Sequence, residues 1–185
     1  MKRVLFLLCV VLICNTELSA QIKSEQELVR DVLLQLDIIS KAAIGKELCE
    51  FESATLDGRV ISNNNLQGKI TFVDLWFETC SPCIAEMGDL IELYCKLKDN
   101  KDFQFFSFTV DSPETAKKAV EKYNIPYIVC PISREVAYRM NMSTGFPTKI
   151  IINKDGKITF FKTGGSDEQE RKEIEKKISH LLNLE

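Results

Sequence analysis

The sequence predicts an α/β fold in which a central mixed β-sheet is flanked by helices. Ile70–Phe77 (ITFVDLWF) is an almost continuous run of apolar and β-branched residues, which is typical of a strand buried on both faces. From Pro82 onward the apolar residues follow a helical period of three to four, so a helix leaves that strand. Strands and helices then alternate until a hairpin and a last helix close the chain, and this order indicates a mixed sheet.

Composition and charge narrow the class of protein. The chain has 185 residues, of which 45% are hydrophobic and 28% are charged, and this balance excludes collagen-like, low-complexity and wholly disordered chains. Its 24 basic side chains are set against 27 acidic ones, for a net charge of -3. A surface that binds a phosphate backbone needs a basic excess, so we expect no nucleic-acid partner.

The first 20 residues have the pattern of a signal peptide. Lys2 and Arg3 precede the apolar run Val4–Ile13, and small residues lead to Ala20. The run has 10 residues, whereas a membrane-spanning helix needs about 20. We therefore expect export, to the periplasm, and no stable membrane anchor once residues 1–20 are removed.

The mature chain begins with a helical extension. Ser24 and Glu27 form a capping-box pattern, and apolar residues at a spacing of four follow them, which predicts a helix over about 25–40. Residues 21–44 are accordingly predicted as an N-terminal helical extension. Residues 45–185 then form one compact domain, because no linker or repeat interrupts them.

Turn residues and apolar periods define the remaining elements. Asp57-Gly58 predicts a hairpin turn between two short strands. The later elements, in chain order, are a strand over Phe103–Val110, a helix from Ser112-Pro113 to about Asn124, a strand over Tyr127–Cys130, a helix over Arg134–Met142, a hairpin of Thr148–Ile152 with Ile158–Lys162, and a final helix capped by Ser166 and Gln169.

The mature chain keeps five cysteines, so at least one thiol has no intramolecular partner. Cys95 falls on the predicted apolar stripe of the helix after Pro82, together with Ile84 and Ile91, and is expected in the core. Cys130 ends a predicted strand and is expected to be buried as well. Cys49 stands near the start of the domain, where it could be exposed.

Cys80-Ser81-Pro82-Cys83 lies where a buried strand hands over to a helix. The spacing of three puts both sulfurs on one side of the first turn. The positive end of the helix dipole favours a thiolate at Cys80, which makes it the better nucleophile. Cys83 is one turn inside the helix, which suits the resolving role in thiol–disulfide exchange. Pro82 holds the turn.

Two separated stretches carry a family resemblance. Phe72–Met87 (FVDLWFETCSPCIAEM) resembles the active-site segment of thioredoxin-fold proteins, and Gly145-Phe146-Pro147-Thr148 resembles their cis-proline loop. Over about residues 45–183 the chain resembles the exported TlpA/ResA-type thiol-disulfide oxidoreductases. This resemblance implies a thioredoxin-like fold, with Cys80 attacking and Cys83 resolving. It also implies a cis peptide bond before Pro147 and no cofactor beyond the redox-active disulfide.

The resemblance also implies how partners bind. The bend at Pro147 presents the backbone of Phe146 to an extended polypeptide, and the predicted substrate-binding residues are Trp76, Ser81, Pro82, Phe146 and Pro147. Relatives mostly act as reductants that a membrane electron donor recharges. Their partners are apocytochromes, in cytochrome c maturation, or other protein thiols and disulfides of the exported compartment.

Two acids complete the predicted catalytic set. Asp74 interrupts the buried strand and resembles the buried acid of thioredoxin, which is proposed to exchange a proton with the resolving cysteine; burial would raise its pKa. Glu86, three residues after Cys83, resembles an acid that ResA-type proteins carry near their active site. Thr79 departs from the pattern, because a tryptophan usually precedes the first cysteine, and redox potential and partner choice are open on that account.

Other functions are compatible with the same residues. The close rival is a disulfide-forming oxidase, and the rival of another class is a non-enzymatic binding module whose disulfide merely stabilises the fold. A peroxidase of the peroxiredoxin type is a third alternative. A zinc site is disfavoured because it needs a second pair of ligands, and His180 is the only histidine. A copper site would want one more residue between the two cysteines.

Overall fold

The computed structural model describes residues 2–184, with side chains described over residues 23–184. The chain divides into two compact units, Met1–Ile38 and Ile39–Glu185, and helix α1 (Lys2–Ala43) runs from the first into the second. The predicted signal peptide lies outside the residues whose side chains are described. Over residues 23–184, no helix combines the length and apolar character needed to span a membrane.

Helix α1 does not begin at the predicted capping box. Ser24 and Glu27 lie inside the helix, because no Gly or Pro between Lys2 and Ala43 interrupts it. Within the first unit, several apolar side chains of α1 are exposed: Leu28, Val29, Val32, Leu33, Leu34 and Ile38. The limits of the extension and of the domain stay predictions.

The second unit contains a hairpin and a five-stranded mixed sheet. The hairpin pairs β1 (Glu52–Ala54) with β2 (Val60–Ser62) around the predicted turn at Gly58, whose φ of 88° is left-handed. The sheet strands are β3 (Ile70–Trp76), β4 (Phe103–Thr109), β5 (Ile128–Pro131), β6 (Thr148–Ile152) and β7 (Ile158–Thr163). Their order is β5-β4-β3-β6-β7, with β3, β4 and β5 parallel and with β6 antiparallel to both β3 and β7. The predicted thioredoxin-like mixed sheet is confirmed.

Helices cover both faces of this sheet. They are α2 (Ser81–Leu97), α3 (Pro113–Tyr123), α4 (Arg134–Met140) and α5 (Glu168–Leu182), with a 3₁₀ turn over Asn63–Leu66. Side chains alternate along β3, so Phe72 and Trp76 pack with α2, α3 and α5, whereas Val73 and Leu75 pack with α4 and the hairpin. A polar side chain at position 74 therefore lies on the same face as α2 and α5.

Two sequence expectations on the helices are wrong. Helix α5 is capped by Asp167, whose carboxylate accepts from Glu170 N at 2.8 Å, and Ser166 points elsewhere. Helix α2 buries a stripe made of Cys83, Met87, Leu90 and Leu93. This stripe does not include Cys95, which is exposed and not in the core as predicted. Both stripes of α2 carry apolar residues, so periodicity alone could not choose between them.

Candidate active site

A disulfide joins Cys80 to Cys83 at the N-terminus of α2, with an S–S distance of 2.00 Å. Cys80 is the N-cap residue, and its Sγ accepts a hydrogen bond from the Cys83 backbone N–H at 3.3 Å. Cys80 is 5% exposed and Cys83 only 1%. Cys80 therefore has both the helix-end donors that can stabilise a thiolate and the greater access of the two residues. Ser81 and Pro82 are exposed beside it.

The turn into α2 is held by β4. The Asp111 carboxylate accepts from the Glu78 backbone N–H at 2.7 Å and from the Thr109 hydroxyl at 2.8 Å. Glu78 also pairs with Lys122 at 2.9 Å, on the surface. Asp111 was not among the predicted site residues, because nothing in the local sequence links it to the cysteine pair.

The Phe146–Pro147 peptide bond is cis, as predicted. The loop before it is fixed by side chains: the Asn141 amide and the Thr148 hydroxyl both donate to the Gly145 carbonyl, at 2.8 and 2.7 Å. After the bend, the Pro147 carbonyl accepts from the Gly164 backbone N–H at 2.9 Å. The loop is thus held from both sides.

A row of three aromatic rings, Phe77, Phe146 and Tyr138, adjoins the disulfide. The Phe77 and Phe146 ring centroids are 5.3 Å apart and those of Phe146 and Tyr138 are 6.1 Å apart. The Phe77 carbonyl accepts from the Cys80 backbone N–H at 3.0 Å, so this aromatic row begins on the turn that leads to Cys80. Tyr138 is 41% exposed, so the row continues to the surface.

Trp76 does not belong to the surface of the site. It is fully buried, and its indole N–H donates to the Ser107 hydroxyl at 2.7 Å. This burial corrects the expectation that Trp76 binds substrate, since a side chain without exposed area cannot contact a docked polypeptide. Its position in β3 directs it into the core between the sheet and α2.

Asp74 lies buried on the same face of β3. One carboxylate oxygen accepts from the Ser107 hydroxyl at 3.2 Å, and the other has no hydrogen-bond partner among the described residues. Burial, with the nearby negative charge of Glu86, raises the pKa of Asp74 to about 8, although Lys149 and the Ser107 hydrogen bond oppose this shift. Asp74 can therefore gain or lose a proton near neutral pH.

Glu86 is buried within a cluster of charged and polar groups. Its Oε2 accepts from Lys149 Nζ at 2.9 Å, from the Ser166 hydroxyl at 2.7 Å and from the Ser166 backbone N–H at 3.0 Å. Lys149 also lies 3.0 Å from Glu170 Oε1. We call Glu86, Lys149, Ser166 and Glu170 the Lys149 cluster.

The loop between β7 and α5 brings this cluster to the active site. Gly164 has a φ of 109°, which favours glycine, and donates to Pro147 as described above. A Cβ placed on Gly165 would lie 3.5 Å from Pro82 Cβ, so the loop passes close to the C-x-x-C turn. Ser166 then reaches Glu86. Because the sequence analysis expected Ser166 to cap α5, it did not predict this contact with Glu86.

The structure places the predicted catalytic residues together at one end of β3 and α2, but it also adds residues that sequence reasoning missed. These are Phe77, Ser107, Asp111, Tyr138, Lys149, Ser166 and Glu170. The sequence offered one indication of the Lys149 cluster. Lys149 lies within the apolar strand TKIII, and a cation in a buried strand needs an anionic partner.

The remaining cysteines lie apart from the redox pair. Cys130 is buried, as predicted, and burial raises the pKa of its thiol to about 12. Cys49 is half-buried and Cys95 exposed, and all three are reduced. Among residues whose side chains are described, no group of three or more histidine, cysteine, aspartate or glutamate side chains is arranged to hold a metal ion.

Comparisons with known proteins agree with this geometry. The Redoxin family model matches residues 43–178. A thiol-disulfide oxidoreductase ResA of Bacillus cereus is 35% identical over 120 residues, covering 64% of this chain and 68% of the relative, and one of Bacillus thuringiensis is 30% identical over 143 residues, covering 75% and 80%. The thioredoxin domain of a Bacteroides vulgatus thiol-disulfide oxidoreductase superposes with a TM-score of 0.63 at 28% identity, covering 74% of this chain and 98% of that domain.

Proposed function

The chain belongs to the redoxin family and is a thiol-disulfide oxidoreductase, and we propose that it is exported and acts there as a reductant of protein disulfides. The observation that carries the proposal is the asymmetric pair at the start of α2. Cys80 is the more exposed of the two residues, and its sulfur accepts a hydrogen bond from the Cys83 backbone N–H. Cys83 is almost fully buried. Such a pair attacks with one sulfur and resolves with the other.

The exchange proceeds in two balanced steps. The Cys80 thiolate attacks one sulfur of the partner's disulfide, the partner's S–S bond breaks, and a mixed disulfide forms as one partner thiolate leaves. Cys83 loses its proton, attacks Cys80 Sγ and releases the second partner thiolate. The partner gains two electrons and two protons, and the protein is left with the Cys80–Cys83 disulfide. An external dithiol must then reduce it again.

Asp74 and Glu86 are proposed to handle the proton of the resolving step. Ionised Asp74 accepts the proton of the Cys83 thiol, and in the reverse direction protonated Asp74 returns it. Support comes from the burial of Asp74 on the α2 face, its unpartnered oxygen and its raised pKa. Glu86 belongs to the hydrogen-bonded cluster behind it.

The partner is proposed to dock as an extended segment across the cis-proline loop. The Phe146 backbone supplies the docking edge, with Ser81, Pro82 and Pro147 around the disulfide and the aromatic row beside it. The pattern of residues 1–20 supports export, with the periplasm as the proposed compartment. A membrane electron donor as the source of reducing power, and apocytochromes among the partners, belong to the same proposal.

The direction of electron flow is tested by the potential of the Cys80–Cys83 couple in glutathione buffers, together with insulin reduction by the mature chain. We expect insulin reduction and a potential closer to the value of about -270 mV of thioredoxin than to about -120 mV, the value of a strong oxidant. A potential near the oxidant value would show that the protein is a disulfide-forming oxidase and not a reductase. Failure to reduce insulin, with Cys80 no more reactive towards alkylation than Cys83, would favour the binding module.

The aromatic row should matter for polypeptide partners and not for small disulfides. Tyr138→Ala is expected to lower kcat/KM for insulin roughly three- to tenfold, because an aromatic contact contributes about 0.5–1.5 kcal/mol beyond its buried area. The rate with oxidised glutathione should stay unchanged, since that substrate need not reach Tyr138. Val60→Ala, which truncates an apolar side chain that is 62% exposed on the hairpin, is the control. Equal losses with both substrates would contradict docking at the row.

A further inference from the structure

Lys149 is a fully buried lysine that the exchange steps do not use directly. Its Nζ donates to Glu86 Oε2 at 2.9 Å, to the Gly164 carbonyl at 2.7 Å and to the Ser166 hydroxyl at 2.9 Å, and it lies 3.0 Å from Glu170 Oε1. A buried ammonium group loses its hydration and is retained only where it is well paired. The partners come from α2, from α5 and from the loop between β7 and α5, and they satisfy that requirement.

The Lys149 cluster adjoins the buried acid Asp74. Asp74 of β3 and Lys149 of β6 are paired residues in the antiparallel ladder, so their side chains leave the same face of the sheet. Glu86 approaches that face from α2 and Glu170 from α5. Lys149 therefore lies among three buried carboxyl groups.

The charges do not balance if all three carboxyl groups are ionised. Lys149 is a fully buried cation in the cluster, whereas Lys162, which lies 3.6 Å from Glu170 Oε2, is half exposed to solvent. Glu86 and Glu170 contact the ammonium group, whereas Asp74 is bonded only to a hydroxyl. The ammonium group of Lys149 is therefore paired with the two glutamates, and Asp74 has no cationic contact of its own.

We propose that Lys149 is a positioning residue for proton transfer: it pairs with Glu86 and Glu170 and leaves Asp74, which is bonded only to a hydroxyl, as the group that carries the exchanging proton. This inference rests on the proposed function, because the proton belongs to the resolving thiol. The groups that interact with Asp74 are Glu86 from α2, Ser107 from β4, Tyr127 before β5 and Lys149 from β6. Through Lys149 they extend to Glu170 from α5, which also pairs with Lys162 from β7.

A path to solvent completes the arrangement. Glu86 and Ser166 also line a groove between α2 and α5, together with Leu90, Arg171 and Ile174. Tyr127 is not on this path, because its hydroxyl is bonded to Met87 Sδ at 2.9 Å and burial keeps the pKa of this phenol well above its usual value. The groove thus gives Glu86 and Ser166 of the Lys149 cluster a side that faces solvent.

Lys149→Met tests the proposal through the pH dependence of the resolving step. We expect the inflection that belongs to Asp74 to move upward by about one pH unit or more, because a buried cation that favours the Asp74 carboxylate is lost. Glu170→Gln should move it downward, since Lys149 then has one anion fewer to neutralise. Lys154→Met, which removes a surface lysine paired with Asp102, is the matched control and should leave the inflection in place.

Shifts of the inflection in opposite directions in Lys149→Met and Glu170→Gln distinguish a specific role of Lys149 from general damage to the fold. In an Asp74→Asn background neither substitution should move any inflection, because the group that titrates is gone. Equal inflections in wild type and Lys149→Met, or shifts of the same sign in Lys149→Met and Glu170→Gln, would overturn the inference. If the wild type failed to reduce insulin, the proposed function would fail by itself. The titration of the Asp74 carboxyl by ¹³C NMR in the oxidised protein would still decide the role of Lys149.

Discussion

Cys80→Ser is expected to lower insulin reduction by roughly 10³-fold or more, towards the background rate of the external reductant, because the attacking thiolate is lost. Cys83→Ser should behave differently: the first attack still occurs, but no thiol resolves the product, and a mixed disulfide on Cys80 accumulates. Turnover measurements, with non-reducing gels and mass spectrometry of the trapped species, distinguish the two variants.

Cys95→Ser is the matched control, because it removes an exposed thiol outside the redox pair. It should retain wild-type turnover and form no trapped species. If Cys83→Ser left turnover intact and trapped nothing, Cys83 would not be the resolver. If the trapped partner were bound to Cys83 in a Cys80→Ser variant, the roles of the two sulfurs would be reversed. Partners trapped on Cys80 in an extract of exported proteins would also identify the physiological substrates.

Asp74→Asn is expected to stabilise the oxidised protein increasingly as the pH rises. The folded pKa of Asp74 is about 8, above the value of 3.8 for an unfolded chain, so between these values the folded state holds a proton that the unfolded state has released. This group therefore reduces the free energy of unfolding of the wild type by about 1.4 kcal/mol per pH unit over that window. Asparagine carries no such penalty.

The difference between the variant and the wild type should be small below about pH 4, grow until about pH 8 and level off above it, at a total on the order of 5 kcal/mol. Denaturant unfolding at several pH values measures it. Asp102→Asn, which changes an exposed carboxylate paired with Lys154, is the control and should give a curve parallel to that of the wild type. A difference for Asp74→Asn that did not depend on pH would show that Asp74 is ionised throughout.

Local patterns were sufficient for most of the fold. The apolar run at Ile70 gave β3, Ser112-Pro113 gave the start of α3, and Gly58 marked the hairpin turn, because caps and turns depend on residues that are adjacent in sequence. The buried face of α2 could not be chosen in this way. Which stripe of a helix is buried depends on what packs against it, and α2 offers two apolar stripes.

The redox pair was also readable in the sequence, since Cys80 and Cys83 are only three residues apart at the N-terminus of α2. The surroundings of the acids were not. Lys149 follows Glu86 by 63 residues, and Ser166 follows it by 80. These groups meet only because β6 pairs with β3 and the loop after β7 returns to α2. Trp76 was misassigned for the same reason, because burial depends on the helix that covers the strand.

The amino-acid order alone determined the strand-to-helix junction, the dithiol on its first turn and the proline bend, because each depends on neighbours along the chain. Only the folded arrangement decided the surroundings of the buried carboxyl groups. Their desolvation and their distances to the Lys149 ammonium group arise when distant segments pack on the same face of the sheet.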